Sequence, residues 1–209
     1  MGLMKGSISY TKFYVEGDVP DDYQERFLDA LQLRRFQPLT VDGEDEQRVG
    51  WTSVTRPLEA EVTFDHNDVF YNAYMNVSLR IDAWRFPGSL FKAAFAEAEK
   101  KYLTKKGREK LTKREKEELK VTVGRKLRHQ ISPTIKVIDL SWNLNEGTVR
   151  FWSQSNKAHE MLFEIWEKSF PGIELVPAGA FTTAERGGVL PEQRLRALSE
   201  VEPAAFHAT

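Results

Sequence analysis

"DVFYNAYMNVSLRIDAWRFPGSLFKAAFAEAEKKYL", residues 68–103, changes its hydrophobic period half-way, and that change decides the fold. Up to Trp84 the apolar positions Val69, Tyr71, Ala73, Met75, Val77, Leu79 and Ile81 recur at every second residue. This is the repeat of a strand with one face in a core. Its other face, with Asn72, Asn76, Ser78, Arg80 and Asp82, reads as the wetter one. Beyond Pro87 the spacing turns helical: Phe91, Ala94, Phe95, Ala98 and Tyr102 share one side, Ser89 is placed to cap the start, and Gly107 stops the helix.

A second helix follows in "LTKREKEELKVTVGRKLRHQIS", residues 111–132. Thr112 and Glu115 have the spacing of a capping box. Leu119, Val123, Leu127 and Ile131 recur at every fourth position, a stripe narrow enough to pack on one neighbour and leave the rest wet. Residues 87–132 therefore read as a projecting antiparallel helical hairpin, inserted into a body formed by residues 1–86 and 133–177.

The body alternates strands and helices. "GSISYTKFYVEG" (6–17) reads as an opening strand. "DDYQERFLDALQLRRF" (21–36) reads as a helix with Phe27, Leu28, Leu31 and Phe36 on one side. "RVGWTSV" (48–54) and "LEAEVTF" (58–64) read as two strands about a turn near Pro57. "TIKVIDLSWNL" and "GTVRFWSQS" form a hairpin across Asn145-Glu146-Gly147. "SNKAHEMLFEIWEKSFPG" (155–172) is an amphipathic helix ended by Pro171-Gly172, and "IELVP" (173–177) supplies the last strand. Residues 178–209 read as a partly mobile tail with one short helix in "PEQRLRALSEVE". The fold class expected is α+β: a mainly antiparallel sheet with packed helices and an inserted helical hairpin.

The chain has no cysteine, no apolar leader in "MGLMKGSISY", and no run near the ~18 apolar residues of a membrane span. A cytoplasmic protein without membrane contact is expected. Its net charge of −1 hides an asymmetry. Residues 92–128 carry fourteen Lys/Arg against six Asp/Glu, a net of +8, which leaves −9 for the remainder. Uneven sign of this kind bears on partners rather than on fold.

Catalytic patterns are scarce: there is no G-x-S-x-G, P-loop, H-E-x-x-H, or strand-borne G-x-G-x-x-G. The four histidines, His66, His129, His159 and His207, lack mutual ligand spacing. "DHND" (65–68) offers oxygens and an imidazole for a divalent ion, but its composition is that of a polar turn. Glu118-Leu119-Lys120 matches half of a nuclease metal motif, yet it falls inside a helix rather than on a sheet. No catalytic residue, metal site or cofactor is assigned, and no enzyme is expected. Four of the five tryptophans, Trp51, Trp142, Trp152 and Trp166, fall on core positions.

The hairpin carries the candidate binding residues. Lys113, Lys116 and Lys120 share a helix face, and Arg114, Arg125 and Arg128 fall in one angular sector at about 100° per residue. Cations in such a row can meet successive phosphates and displace condensed counterions without reading bases. The same segment, with Glu109, Glu115, Glu117 and Glu118 interleaved, also fits a solvated helix face held by i,i+4 pairs.

Several stretches, taken in order over about residues 1–177, resemble the RdgC family of recombination-associated DNA-binding proteins. They are "MGLMKGSISYTKFYV", "FQPL" with "RVGWT", "LTKREKEELKVTV", "LSWNLNEGTVRFWSQSNKAHEMLFEIWEKSF" and "ELVPAG". The resemblance implies a helical finger that joins a second copy, so that a homodimer closes a positive ring on duplex DNA and restrains RecA-dependent recombination. It implies a nucleoid-associated protein, and the DNA contacts expected from the basic hairpin are Lys105, Lys106, Arg108, Lys110, Lys113, Arg114, Arg125, Lys126 and Arg128, with Lys136 beyond it. Family members carry an aromatic residue in a "PRAFSRF" segment where this chain has "RKLRHQISP", so a contact made by that aromatic has no counterpart here. Longer members continue past their last strand, and a compact variant, as a ring or an open clamp, is expected. A metal-dependent nuclease and a protein-interaction module built on the charged hairpin are the alternatives.

Overall fold

Every residue from Tyr74 to Ala83 pairs antiparallel with one from Asn143 back to Thr134, and this ladder is the axis of the structure. The computed structural model describes residues 2–3, 9–188 and 190–200. Among them β1 is Thr11–Glu16, β2 Gln47–Thr52, β3 Phe70–Tyr71, β4 Tyr74–Ala83, β5 Thr134–Asn143, β6 Thr148–Phe151 and β7 Glu174–Pro177. The helices are α1 Tyr23–Leu33, α2 His66–Val69, α3 Gly88–Lys106, α4 Lys113–Arg128, α5 Asn156–Ser169, α6 Ala180–Gly187 and α7 Glu192–Ser199. The strands form one antiparallel sheet in the order β2-β4-β5-β6-β1-β7, with β3 folded back on β4. The fold class is α+β, as the sequence leads one to expect.

One sheet face holds the core. Trp51, Leu79 and Ile138 lie in one cross-strand row, and Phe13, Val149, Trp142 and Met75 lie in another. Helices α1 and α5 cover these rows with Phe27, Leu31, Ala158, Leu162 and Trp166. Phe27 stacks on Trp142 at 5.2 Å, and Trp166 meets the same indole at 5.0 Å. Two buried indoles also find acceptors: Trp51 Nε1 donates to Ser169 Oγ at 2.8 Å, and Trp166 Nε1 to the Ile173 carbonyl at 2.9 Å. These two polar edges are thereby satisfied without opening the core to water, whereas the buried Trp142 Nε1 has no hydrogen-bond partner among the described residues.

The second face departs from expectation. Ser78, Arg80 and Asp82 are buried rather than wet, with Arg80 only 6% and Asp82 2% exposed. Arg80 Nε and Nη2 bind both Asp82 oxygens, at 3.0 and 2.8 Å, and its guanidinium lies 4.1 Å from the Phe36 ring. Phe36 belongs here and not with Phe27 and Leu31. After α1 the chain crosses to bond β2 through Phe36 N–H to the Trp51 carbonyl, and a Cβ on Gly50 would overlap the Phe36 backbone. Glycine at 50 is what lets the two backbones meet.

Arginine 80 also explains why "LEAEVTF" is not a strand. Its Nη1 donates to the carbonyls of Pro57 and Glu59, while Phe64 N–H donates to Gln32 Oε1. Side chains satisfy that segment's backbone, so it lies irregularly over the sheet with Val62 buried. The strand read from residue 69 is split as well. Asn72 adopts φ +52°, a left-handed turn that folds Phe70–Tyr71 back onto Tyr74–Met75, and Tyr71 is left exposed.

Smaller corrections concern the ends. Helix α3 starts at Gly88 with Pro87 at the cap position, so Ser89 lies inside it. Helix α4 ends at Arg128, short of Ser132, because Pro133 biases the preceding residue to extended backbone. The start of the first strand at 6–8 lies outside the described residues, and the pairing seen begins at Thr11. After β7 there are two helices rather than one, and α6 is docked: Arg186 donates to the Val15 carbonyl at 3.1 Å and Tyr14 to Thr183 at 3.2 Å. Residues 201–209 of the tail lie outside the described residues.

A buried ion pair has a testable consequence. Asp82→Ala leaves the Arg80 charge uncompensated and is expected to cost about 3–5 kcal/mol in urea unfolding. The double variant Arg80→Met/Asp82→Leu is expected to recover most of that loss, which a shift of the urea midpoint back towards the parent checks.

Candidate nucleic-acid interface

Helices α3 and α4 are packed on each other and almost on nothing else. No residue of α3 is buried, and α4 buries only Val123 and Leu127, next to the body. Phe91, Ala94, Phe95, Ala98 and Tyr102, which the helical spacing selects, are half-buried, as are Glu99 and Leu103 on α3 and Leu119 on α4. Gly107, at φ +63°, takes the left-handed conformation that ends α3 and lets the chain reverse.

The turn between the helices is tied by one carboxylate. Glu115 accepts from Thr112 N–H at 2.9 Å, Thr112 Oγ1 at 2.9 Å, the Tyr102 hydroxyl at 3.0 Å and Arg108 Nη1 at 3.3 Å. Glu115 N–H returns a bond to Thr112 Oγ1, which completes the capping box. The Thr112 backbone, then the Thr112 and Tyr102 hydroxyls, hold the Glu115 carboxyl below the ordinary carboxylate range. The same bond from its hydroxyl pushes Tyr102 up.

Nine of the ten candidate contact residues fall into two groups instead of a continuous row, and Lys136 lies apart on β5. Lys105, Lys106, Arg108, Lys110, Lys113 and Arg114 gather at the tip, all exposed. Arg125, Lys126 and Arg128 lie in the last turn of α4, at the base. Lys113 and Arg125 are twelve residues apart on one helix, about 18 Å, or roughly five phosphate steps along one strand. Between the groups the charges cancel locally. Arg114 meets Glu118 at 2.9 Å and Lys120 meets Glu117 at 2.8 Å, so the Glu118-Leu119-Lys120 carboxylate and amine are both spent on helix pairs. Among the described residues Lys105, Lys106, Lys110, Lys113, Arg125 and Lys126 have no carboxylate within 4 Å.

Arg128 is held differently. Its Nη1 donates to the Gly43 carbonyl, its guanidinium lies 5.8 Å from the Trp84 ring, and its Nε is buried. Next to it His129 Nε2 is 3.5 Å from Asp42. A cavity of about 490 Å³ separates the base of the arm from residues 43–46 and is lined by Glu44, Glu46, Phe86, Val121, Arg125 and Arg128 among others. Lys136 is exposed on β5, in register with Ile81, three residues after the arm re-enters the sheet.

Sequence reasoning missed two features. The first is the acidic run "DGEDE" (42–46), legible as a charge run but not as a neighbour of α4. The second lies on the polar sheet face, where Lys12 and Arg186 flank the Tyr14 ring at 4.9 and 4.6 Å and Arg150 lies 5.7 Å from the Tyr10 ring. The alternation Tyr10-Lys12-Tyr14 was its only signal. In "DHND", Asp68 is bound by Arg56 at 2.6 Å, and among the described residues no group of three His, Asp or Glu side chains is placed to hold a metal ion. No protein-family model matches this sequence, and no curated protein matches it.

The turn lock predicts a pH response. Because Glu115 binds its proton less readily when folded, the lock is complete above the unfolded carboxylate range and is lost as pH falls through the lower folded value. Protection factors of the Thr112 and Glu115 amides are expected to fall in acid, and Glu115→Gln is expected to abolish that acid step.

Proposed function

We propose that the arm is a sequence-independent binding element for double-stranded DNA, working in a homodimer that modulates RecA-dependent recombination on the nucleoid without catalysing a reaction. The resemblance to RdgC proteins supports the recombination context, the dimer and the antagonism of RecA. The carrying observation is the position of Lys113 and Arg114. They sit in the first turn of α4, with Lys110 just before it, where the positive end of the helix dipole disfavours cations by about 0.3–1 kcal/mol each. Lys113 has no ion-pair partner among the described residues, and Arg114 stays 89% exposed despite its pair with Glu118. The i,i+4 pair with Glu118 offsets the dipole for Arg114 in part, while nothing local does so for Lys113, and a phosphate backbone would favour both.

Contacts of this kind leave a salt signature. With six phosphates engaged, log Kd against log salt is expected to have a slope of about 5 in magnitude on unrelated duplexes. Removing four tip cations, in Lys105→Ala/Lys106→Ala/Lys110→Ala/Lys113→Ala, is expected to flatten the slope by about 3.6 with no change in sequence preference. Binding that ignores salt, or a variant that binds like the parent, overturns the reading.

A second reading is favoured by Val121, which is 61% exposed beside Phe86 and Phe91 in the basal cavity. There the arm docks a protein helix. Val121→Asp would then abolish capture of that partner and leave duplex affinity intact.

A further inference from the structure

The acidic loop at residues 42–46 faces the base of the arm, and we infer that it is a built-in competitor for the polyanion, masking Arg125 and Arg128 until a duplex displaces it. The inference rests on the reading of the arm as a DNA-binding element and adds a regulatory part to it.

Four carboxylates fall within five residues: Asp42, Glu44, Asp45 and Glu46. Asp45 is taken by Arg48 at 2.8 Å. The other three are turned to different business. Asp42 lies 3.5 Å from His129, while Glu44 and Glu46 line the same cavity wall-to-wall with Arg125, Arg128 and Lys120. The loop is fastened at both ends of this contact. Arg128 Nη1 binds the Gly43 carbonyl, and Trp84 N–H at the root of the arm binds the Glu46 carbonyl at 2.9 Å. A short acidic segment thus shares one cavity with two arginines and a lysine. The cavity of about 490 Å³ between them means that the charges attract without closing. Attraction across an open, wet gap is weak and screened, so a multivalent anion can replace the loop.

Competition of this kind lowers the number of ions released on DNA binding, because each carboxylate set free gathers a cation from solution. Neutralising the loop therefore has two effects that a general change in net charge does not share. Asp42→Asn/Glu44→Gln/Glu46→Gln is expected to bind unrelated duplexes about tenfold more tightly at low salt and to steepen the log–log slope by about 1.8, the release belonging to two more phosphate contacts. A charge-matched control on the far end of α1, Asp18→Asn/Asp21→Asn/Glu25→Gln, is expected to leave the slope unchanged. Both are measured on the full chain by fluorescence anisotropy from about 50 to 300 mM salt, about threefold below to twofold above physiological strength, with urea midpoints as a check that folding is intact. If the parent binds and the loop variant matches the control in slope and affinity, the masking is wrong and the arm reading stands. If neither parent nor loop variant binds duplex at any salt, the arm reading falls and takes the masking with it.

Discussion

Between Tyr74 and Ala83 each residue of β4 faces one of β5, so Ala83 and Thr134 end up opposite each other and the chain between them must leave and return at one spot. An antiparallel pair needs only a short connection, so nothing in the sheet calls for the long excursion from 84 to 133. The excursion is stable because its two helices pack on each other, with Phe91, Phe95, Tyr102 and Leu119 half-buried and Val123 buried. Glu115 then locks the far end by four hydrogen bonds, and Arg128 pins the near end to the loop at Gly43. The ladder also holds the polar face in register, since Arg80 and Asp82 on β4 can be buried only with Gly50 on β2 yielding room for Phe36.

The charges of the arm follow different rules at its middle and at its ends. In the middle, Arg114–Glu118 and Lys120–Glu117 are exposed helix pairs of the kind worth about 0.3–0.5 kcal/mol. At the base, Arg125 and Lys126 complement the negative end of the α4 dipole and need no partner for stability. At the tip, Lys105 and Lys106 do the same for α3, but Lys113 and Arg114 oppose the dipole of α4. A solvated-face account explains the middle completely and the base adequately. It fails only at Lys113, which opposes the α4 dipole and has no carboxylate within 4 Å among the described residues.

Much of this was legible because it depends on neighbours close in sequence. The helical period of Phe91–Tyr102, the Thr112–Glu115 capping box, the stop at Gly107 and the stripe Leu119–Val123–Leu127 are all local, and all are present. The errors came where distant residues decide. Nothing near "LEAEVTF" reveals that Arg80 will take its carbonyls, and nothing near Phe36 reveals that Gly50 will open a place for it on the opposite face. The polar residues Ser78, Arg80 and Asp82 alternate like a wet face, but alternation reports polarity and not exposure. The acidic loop was visible as a run of charge, while its neighbour in space was eighty residues away in sequence, as the Gly43–Arg128 bond records.

That last contact sets the two ends of the arm apart. A tip cation such as Lys113 meets an approaching anion with nothing to give up but water. Arg128 must first release the Gly43 carbonyl and leave the Trp84 face, and Arg125 must trade the field of Glu44 and Glu46 for that of the newcomer. A single small anion gains too little to complete that trade, because one exposed pair is worth at most about 1 kcal/mol. A rod of phosphates already held at the tip faces no such limit, since its next charges are delivered about 18 Å away at no further cost in translational freedom. On the proposed reading, this geometry would favour long polyanions over short ones, with the base engaging only after the tip.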